Sequence, residues 1–181
     1  MKIEIENELD RYYNSFVNKT YCEENQDLDV LMEIFNISPS LKCENKQYWG
    51  RELGKLWEKV INIVFSKAVP KIYKPAIKIG KDEPCDLVVD KYAIDTKYRI
   101  GSGDSGTLKK FKKYGPLLTS LGYTPVMLFL REDNLPAAIT ACKVGGWDIY
   151  TGEESFKFIQ AISKVNLKEV LVEYKGKYPI R

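Results

Sequence analysis

The sequence predicts one α/β domain with a central mixed β-sheet flanked by helices. Three observations predict it. Residues 48–68 carry Leu53, Leu56, Trp57, Val60, Ile61, Val64 and Phe65 as one apolar stripe at helical spacing. Beyond Pro70 the period changes, and short strand-like runs bounded by turn residues follow. The run Val126-Met127-Leu128-Phe129-Leu130 is apolar throughout, as a strand buried on both faces is, and helical patterns stand on either side of it.

Taken in order, residues 3–35 place Leu9, Tyr12, Tyr13, Phe16, Leu28, Leu31, Met32 and Phe35 at mostly helical spacing, which predicts two helices broken in the polar stretch 18–27. Ser38-Pro39-Ser40 punctuates the chain. In the helix 48–68, Lys55, Lys59, Asn62 and Ser66 lie opposite the apolar stripe. Residues 72–79 read as a strand, and Pro75 inside it assigns it to an edge. Residues 80–84 form a turn. Residues 85–89 and 92–100 form a hairpin around Asp90-Lys91. A flexible loop, 101–106, leads to a helix from about Thr107 to near Gly122. After the buried strand 126–130, Asn134-Leu135-Pro136 opens a helix that runs through Lys143 and is closed by Gly145-Gly146. A short strand at 147–150 and two C-terminal helices complete the chain. No internal repeat or low-complexity linker divides it. The expected organisation is a single domain, 1–181: an N-terminal helical part (1–45) suited to dimerisation or recognition, a core (48–150) and C-terminal helices (151–181).

Composition excludes a good deal. With no histidine among 181 residues, catalysis through Ser-His-Asp or Cys-His pairs and zinc sites built on histidine are ruled out. Hydrolysis must use carboxylates, lysine, tyrosine or a metal. Cys22, Cys43, Cys85 and Cys142 form no Cys-x-x-Cys pair and read as reduced thiols. No apolar run approaches the ~20 residues of a membrane span, and the charged N-terminus lacks an apolar signal centre, so a cytoplasmic protein is expected. Net charge is only +3, but residues 91–113 hold seven Lys or Arg against two Asp, whereas residues 1–35 lean acidic.

The second hairpin strand carries the chemistry. Alternation puts Ala93, Asp95, Lys97 and Arg99 on one face, about 7 Å apart at each step, and Tyr92, Ile94, Thr96, Tyr98 and Ile100 on a core-facing side. A symmetric loop at Asp90-Lys91 pairs residues whose numbers sum to 181, so Asp86 faces Asp95. Two opposed carboxylates destabilise a hairpin unless a divalent cation lies between them. Mg²⁺ suits carboxylate oxygens and keeps several waters. Lys97 can then reach a bound water or a phosphate, to polarise or deprotonate the one and stabilise charge on the other. A surface hairpin with a cross-strand ion pair would account for Lys97 but not for two aspartates beside it.

Pro84-Cys85-Asp86, eight further residues, then Asp95-Thr96-Lys97 resembles the PD-(D/E)xK nuclease motif, with Cys85 standing between the proline and the first acid. Residues 94–99 are similar to the corresponding strand of type II restriction endonucleases. The order αβββαβ over roughly 48–150 is that of the restriction-endonuclease-like fold. The resemblance implies Asp86 and Asp95 as metal ligands, the Thr96 carbonyl as a further ligand, and Lys97 as the catalytic lysine. It also implies a helix glutamate that binds metal. The segment 54–60 resembles that helix and assigns Glu58, one turn after Gly54, with Glu52 as the competing candidate.

DNA contacts are expected from Arg99, which continues the catalytic face, and from Lys109, Lys110, Lys112 and Lys113, the basic face of an amphipathic helix. The loop 101–106 and residues 131–134 are candidates for approaching bases. Trp49, Trp57 and Trp147 read as core. The expected function is a Mg²⁺-dependent type II restriction endonuclease that cuts double-stranded DNA as a homodimer. Its rivals are a repair nuclease, a junction resolvase, the small cleavage subunit of a heterodimeric enzyme, or a DNA-binding module without catalysis.

Overall fold

The segment 46–68 does form the long helix its stripe demands. A computed structural model, which describes residues 2–17, 21–103 and 105–180, places it as α4 (Lys46–Ala68), capped by the Asn45 side chain accepting from the Tyr48 N–H. Numbering from the N-terminus, it is preceded by α1 (Lys2–Val17), α2 (Val30–Phe35) and α3 (Pro39–Glu44). Ser38-Pro39 proves to be a helix start: the Ser38 hydroxyl accepts from Leu41 N–H and Pro39 takes the first turn. Of the expected break at 18–27, residues 18–20 lie outside the described residues.

Five strands follow: β1 (Tyr73–Pro75), β2 (Leu87–Val89), β3 (Tyr92–Lys97), β4 (Thr124–Phe129) and β5 (Asp148–Thr151), in the spatial order β1-β2-β3-β4-β5. The first three are antiparallel neighbours; β3, β4 and β5 are parallel. The sheet is therefore mixed, as expected. The edge strand is shorter than the predicted 72–79. Pairing stops at Pro75, which has no N–H to give to a ladder.

Parallel strands need crossovers. α5 (Ser105–Ser120) links β3 to β4, and α6 (Pro136–Val144) links β4 to β5. Both cover one face, where Phe111, Leu118, Ala138 and Cys142 pack with Val88, Ala93, Met127 and Phe129. The other face packs Leu87, Ile94, Val126 and Leu128 against α4, α2, α7 (Glu153–Ser163) and α8 (Leu167–Val172). This corrects the expectation of one polar face on β3. Both faces are covered, so the side of β3 that carries Asp95 is almost wholly buried. Trp57 and Trp147 are core residues, and Trp49 is partly buried against the same core. Among the described residues no helix is long and apolar enough to cross a membrane.

α5 and α6 cross backbone against backbone. A Cβ on Gly115 would lie 1.8 Å from the Gly145 carbonyl oxygen, and one on Gly145 would lie 2.3 Å from that of Phe111. The Trp147 indole N–H donates to the same Phe111 carbonyl at 2.8 Å. Gly115→Ala must push the helices apart, and we expect a loss of about 3 kcal/mol, the upper end for an overpacked core. Urea unfolding of the variant beside the parent measures it; an unchanged midpoint would show that the crossing is loose.

Candidate active site

The β2–β3 ladder keeps the register in which paired numbers sum to 181, from Val89↔Tyr92 to Leu87↔Ile94. There it ends, and from Asp95 to Lys97 β3 is paired on its β4 side alone. Asp86 does not sit opposite Asp95 as a simple cross-strand partner. Its N–H donates to Ile94 O at 2.9 Å, one residue out of step. Its carboxylate Oδ2 turns to accept both the Thr96 N–H and the Thr96 hydroxyl, each at 2.7 Å. A side chain thus takes the place of the missing strand.

Asp95 lies beside this notch. Burial pushes its carboxyl up, Lys97 works against that, and the Asp86 carboxylate adds to it, leaving it at about 7. The Lys97 ammonium bridges Asp95 Oδ1 and the Thr96 carbonyl oxygen, the latter at 3.0 Å. Burial alone would lower the Lys97 pKa, but Asp95, Asp86 and Glu58 outweigh it and raise it. Lys97 is therefore a fixed cation and hydrogen-bond donor at neutral pH. A protonated Lys97 suits the polarising role among those expected for it.

Glu58 projects from the middle of α4 and is half-buried. Its carboxyl is raised first by burial and then by Asp86, while Lys97 opposes. Glu52 is elsewhere: Arg51 at 2.9 Å and Lys55 at 3.2 Å hold it at the surface and lower its pKa. Glu58, and not Glu52, is thus within electrostatic reach of Asp86 and Lys97. Gly54 is not needed for that approach, since a Cβ there would meet Tyr98 Cβ at 3.7 Å, an ordinary contact. Cys85 is buried with its thiol pushed up to about 11, so it anchors Asp86 and is chemically inert.

Among the described residues no three acidic or thiol side chains converge closely enough to enclose a metal by themselves. The donor set is nevertheless of the right kind. Asp86, Asp95 and the Thr96 carbonyl offer hard oxygens, and two of these already hold a cation, the Lys97 ammonium.

Other expectations change. Arg99 is not offered to DNA: its guanidinium donates to the Asp133 carboxylate and carbonyl, both at 3.0 Å, and to the Cys22 carbonyl at 2.8 Å. Of residues 131–134, Arg131 and Asn134 are turned into the protein and Glu132 is exposed. Arg131 is 5 % exposed and Asn134 8 %, and Asn134 spends its amide on Ile100 and Arg131 backbone. In the loop 101–106, Asp104 lies outside the described residues. Residues 101–103 are pinned: Tyr21 bridges Ser102, Cys22 N–H donates to Gly101 O, and a Cβ on Gly101 would strike the Arg99 guanidinium at 2.1 Å. Lys109, Lys110, Lys112 and Lys113 are exposed on α5, with Lys113 paired to Asp82 at 2.9 Å in the turn before Asp86.

What sequence reasoning missed is a buried ionic cluster behind the site. Asp29 caps α2 with one carboxylate oxygen and accepts from the Tyr98 hydroxyl and Arg131 with the other. Lys42, 3 % exposed, donates to Glu24 and the same Tyr98 hydroxyl. Arg131 also donates to Asp133 Oδ1 at 2.9 Å and to the Asp27 carbonyl at 2.9 Å. Asp29 ahead of an apolar run was a legible cap; the depth of its partners was not.

Comparison with protein-family models, curated proteins and solved structures finds no match to this chain.

Burial raises the Asp133 carboxyl, but Arg131 and the Asn25 N–H outweigh it and hold it below its ordinary value. A depressed folded pKa contributes stability above the unfolded value, ~3.9, which is lost as pH falls through the folded one. Asp133→Asn should cost about 3 kcal/mol at neutral pH, as for a broken buried pair. Its deficit against the parent should shrink as pH falls below the unfolded value, ~3.9, and through the lower folded one, where the parent carboxyl also loses charge. Urea midpoints across that range test this; a deficit independent of pH would contradict it.

Proposed function

We propose that this chain is a Mg²⁺-dependent endonuclease of the PD-(D/E)xK type, and specifically a type II restriction endonuclease that cuts double-stranded DNA at a short sequence. One observation carries the reading: where the β2–β3 ladder ends, Thr96 fixes the Asp86 carboxylate through two hydrogen bonds and the Lys97 ammonium bridges Asp95 and the Thr96 carbonyl, with Glu58 of α4 within electrostatic reach of Asp86 and Lys97. A buried carboxyl raised by its surroundings and paired to a lysine is the mark of a candidate working site. A surface ion pair would need only two of the four.

Asp86, Asp95 and the Thr96 carbonyl would hold the metal, with Glu58 completing the set. When bound, Mg²⁺ supplies Lewis acidity and a water of lowered pKa for phosphodiester hydrolysis. The chain's own residues do the rest. Thr96 fixes the Asp86 carboxylate through two hydrogen bonds to one oxygen, which holds the group beside Asp95. Lys97 keeps its proton and donates to the phosphate oxygen on which negative charge develops. Glu58, its carboxyl raised by burial, would reach the metal from α4. The exposed lysines of α5 provide sequence-independent phosphate contacts.

A palindromic target calls for a two-fold protein. α1 leaves Ile5, Leu9, Tyr12 and Phe16 exposed at alternating spacings of four and three, a seam that fits a second copy in a homodimer.

Purified protein incubated with mixed-sequence plasmid DNA should give discrete fragments with Mg²⁺ and none with EDTA. Asp95→Ala and Lys97→Ala should each lower the rate by at least about a hundredfold. A smear would retain the chemistry but refute site-specificity. Intact DNA with binding retained would leave a binding module or a cleavage subunit awaiting its partner.

Light scattering should give twice the chain mass, and Leu9→Glu with Phe16→Glu should give the monomer mass. A monomeric parent would remove the dimer from the proposal.

A further inference from the structure

Beyond the last residue of β3 lies a second feature, an open groove of about 630 Å³. Its walls are the first turns of α4, the segment 21–24 and the chain that continues the catalytic strand, 98–102. Tyr98 belongs to its lining and is the residue next to Lys97. Along α4, Gly50 lines the groove and Glu58 lies eight residues on, about 12 Å at the helical rise. The groove therefore begins where β3 ends and shares α4 with Glu58.

The lining is polar in a particular way. Tyr21, Lys46, Gln47, Arg51 and Ser102 all carry hydrogen-bond donors of the types that contact nucleic-acid phosphates. Of the two acids present, Glu24 is turned inward to Lys42, and Glu23 is exposed at the groove's edge. Arg51, 59 % exposed, is held by Glu52, which fixes its direction without covering it. Tyr21 is 72 % exposed, yet its backbone is anchored by the bridge to Ser102 and by the Cys22 N–H donating to Gly101 O at 2.8 Å. An exposed aromatic on a fixed backbone is a presented group, not a frayed one.

Gly50 supports the same conclusion independently of charge. It sits inside a long helix, where glycine is a poor residue, and a Cβ there would find nothing within 4 Å. Packing within the chain does not require it. A bare helix face is explained by a partner backbone that approaches closely.

We infer that this groove is a track for the sugar-phosphate backbone of the DNA flanking the scissile bond, with Tyr21, Lys46 and Arg51 as its phosphate contacts and Gly50 as its floor. Lying about 12 Å along α4 from Glu58, it engages phosphates a few nucleotides from the cut. This rests on the nuclease reading above and adds to it a binding surface distinct from the α5 lysines.

The test uses the full chain and a fluorescein-labelled duplex of mixed sequence, with Ca²⁺ in place of Mg²⁺ and anisotropy followed across a salt series. Gly50→Ala touches nothing within the chain, so it should melt higher, but its methyl stands on the groove floor and should weaken binding. Gly50→Gln extends into the groove, and should weaken binding about tenfold with circular dichroism and melting unimpaired. Lys46→Gln with Arg51→Gln should flatten the plot of log affinity against log salt by about two counterions. A merely structural role would leave that slope unchanged. Parental affinity in Gly50→Gln, or an unchanged slope in the double variant, overturns the groove alone when the parent binds and cuts DNA. A parent that neither binds nor cuts DNA overturns the nuclease reading and this inference with it.

Discussion

The architecture of the site depends on one hydrogen-bonded unit, the Asp86 carboxylate on the Thr96 N–H and hydroxyl. β2 ends before β3 does, and a buried strand cannot leave an N–H without a partner. Extending β2 would satisfy that N–H but would close the notch. A carboxylate satisfies it and leaves the notch open. The same bond draws a negative charge to the edge of β3, next to Asp95, in surroundings where a second buried charge is costly. Lys97 offsets that cost, and Glu58 approaches from α4 on the far side of the sheet. Each of these placements follows from the point where two strands part.

That geometry explains why the sequence was informative in some places and silent in others. The hairpin register followed from a two-residue connection, Asp90-Lys91, because cross-strand pairing is arithmetic once the turn is set. α4 and β4 were legible because their apolar patterns are long and unambiguous. The step at Asp86 was not, since period-2 alternation assumes a continuing ladder. Arg99 and Arg131 were misread for a different reason. A charged residue is solvent-exposed by default, and both are covered by partners, Cys22, Asn25 and Asp29, that lie some eighty to a hundred positions away in the chain. No local pattern announces such a contact. The apolar seam of α1 shows the opposite limit: the pattern was plain, but a pattern does not say what meets it.

The two covered faces of the sheet contribute unequally to the site. The α5–α6 side is held by direct backbone contact at Gly115 and Gly145, which leaves little freedom for movement near Asp95. The α4 side has side-chain packing throughout, with Trp57 donating to Leu128 O and Phe156 set edge-on against it. Glu58 therefore rides on a helix anchored along its length, and its half-buried carboxyl is a property of a rigid scaffold, not of a mobile loop.

The buried ionic cluster has a consequence for how the chain is divided as a folding unit. Lys42, Arg131 and Arg99 are all covered by the segment that begins at Tyr21, and their charges are satisfied chiefly from it and from Asp133. Excising that segment would leave cationic side chains in a low-dielectric interior. The segment 21–42 and the sheet must accordingly melt together, in one cooperative transition, although the segment adds no strand to the sheet. α1, whose apolar side chains lie open to solvent, is under no such obligation. The boundary of the autonomous fold falls between the two, well inside what composition alone presents as a single N-terminal helical region.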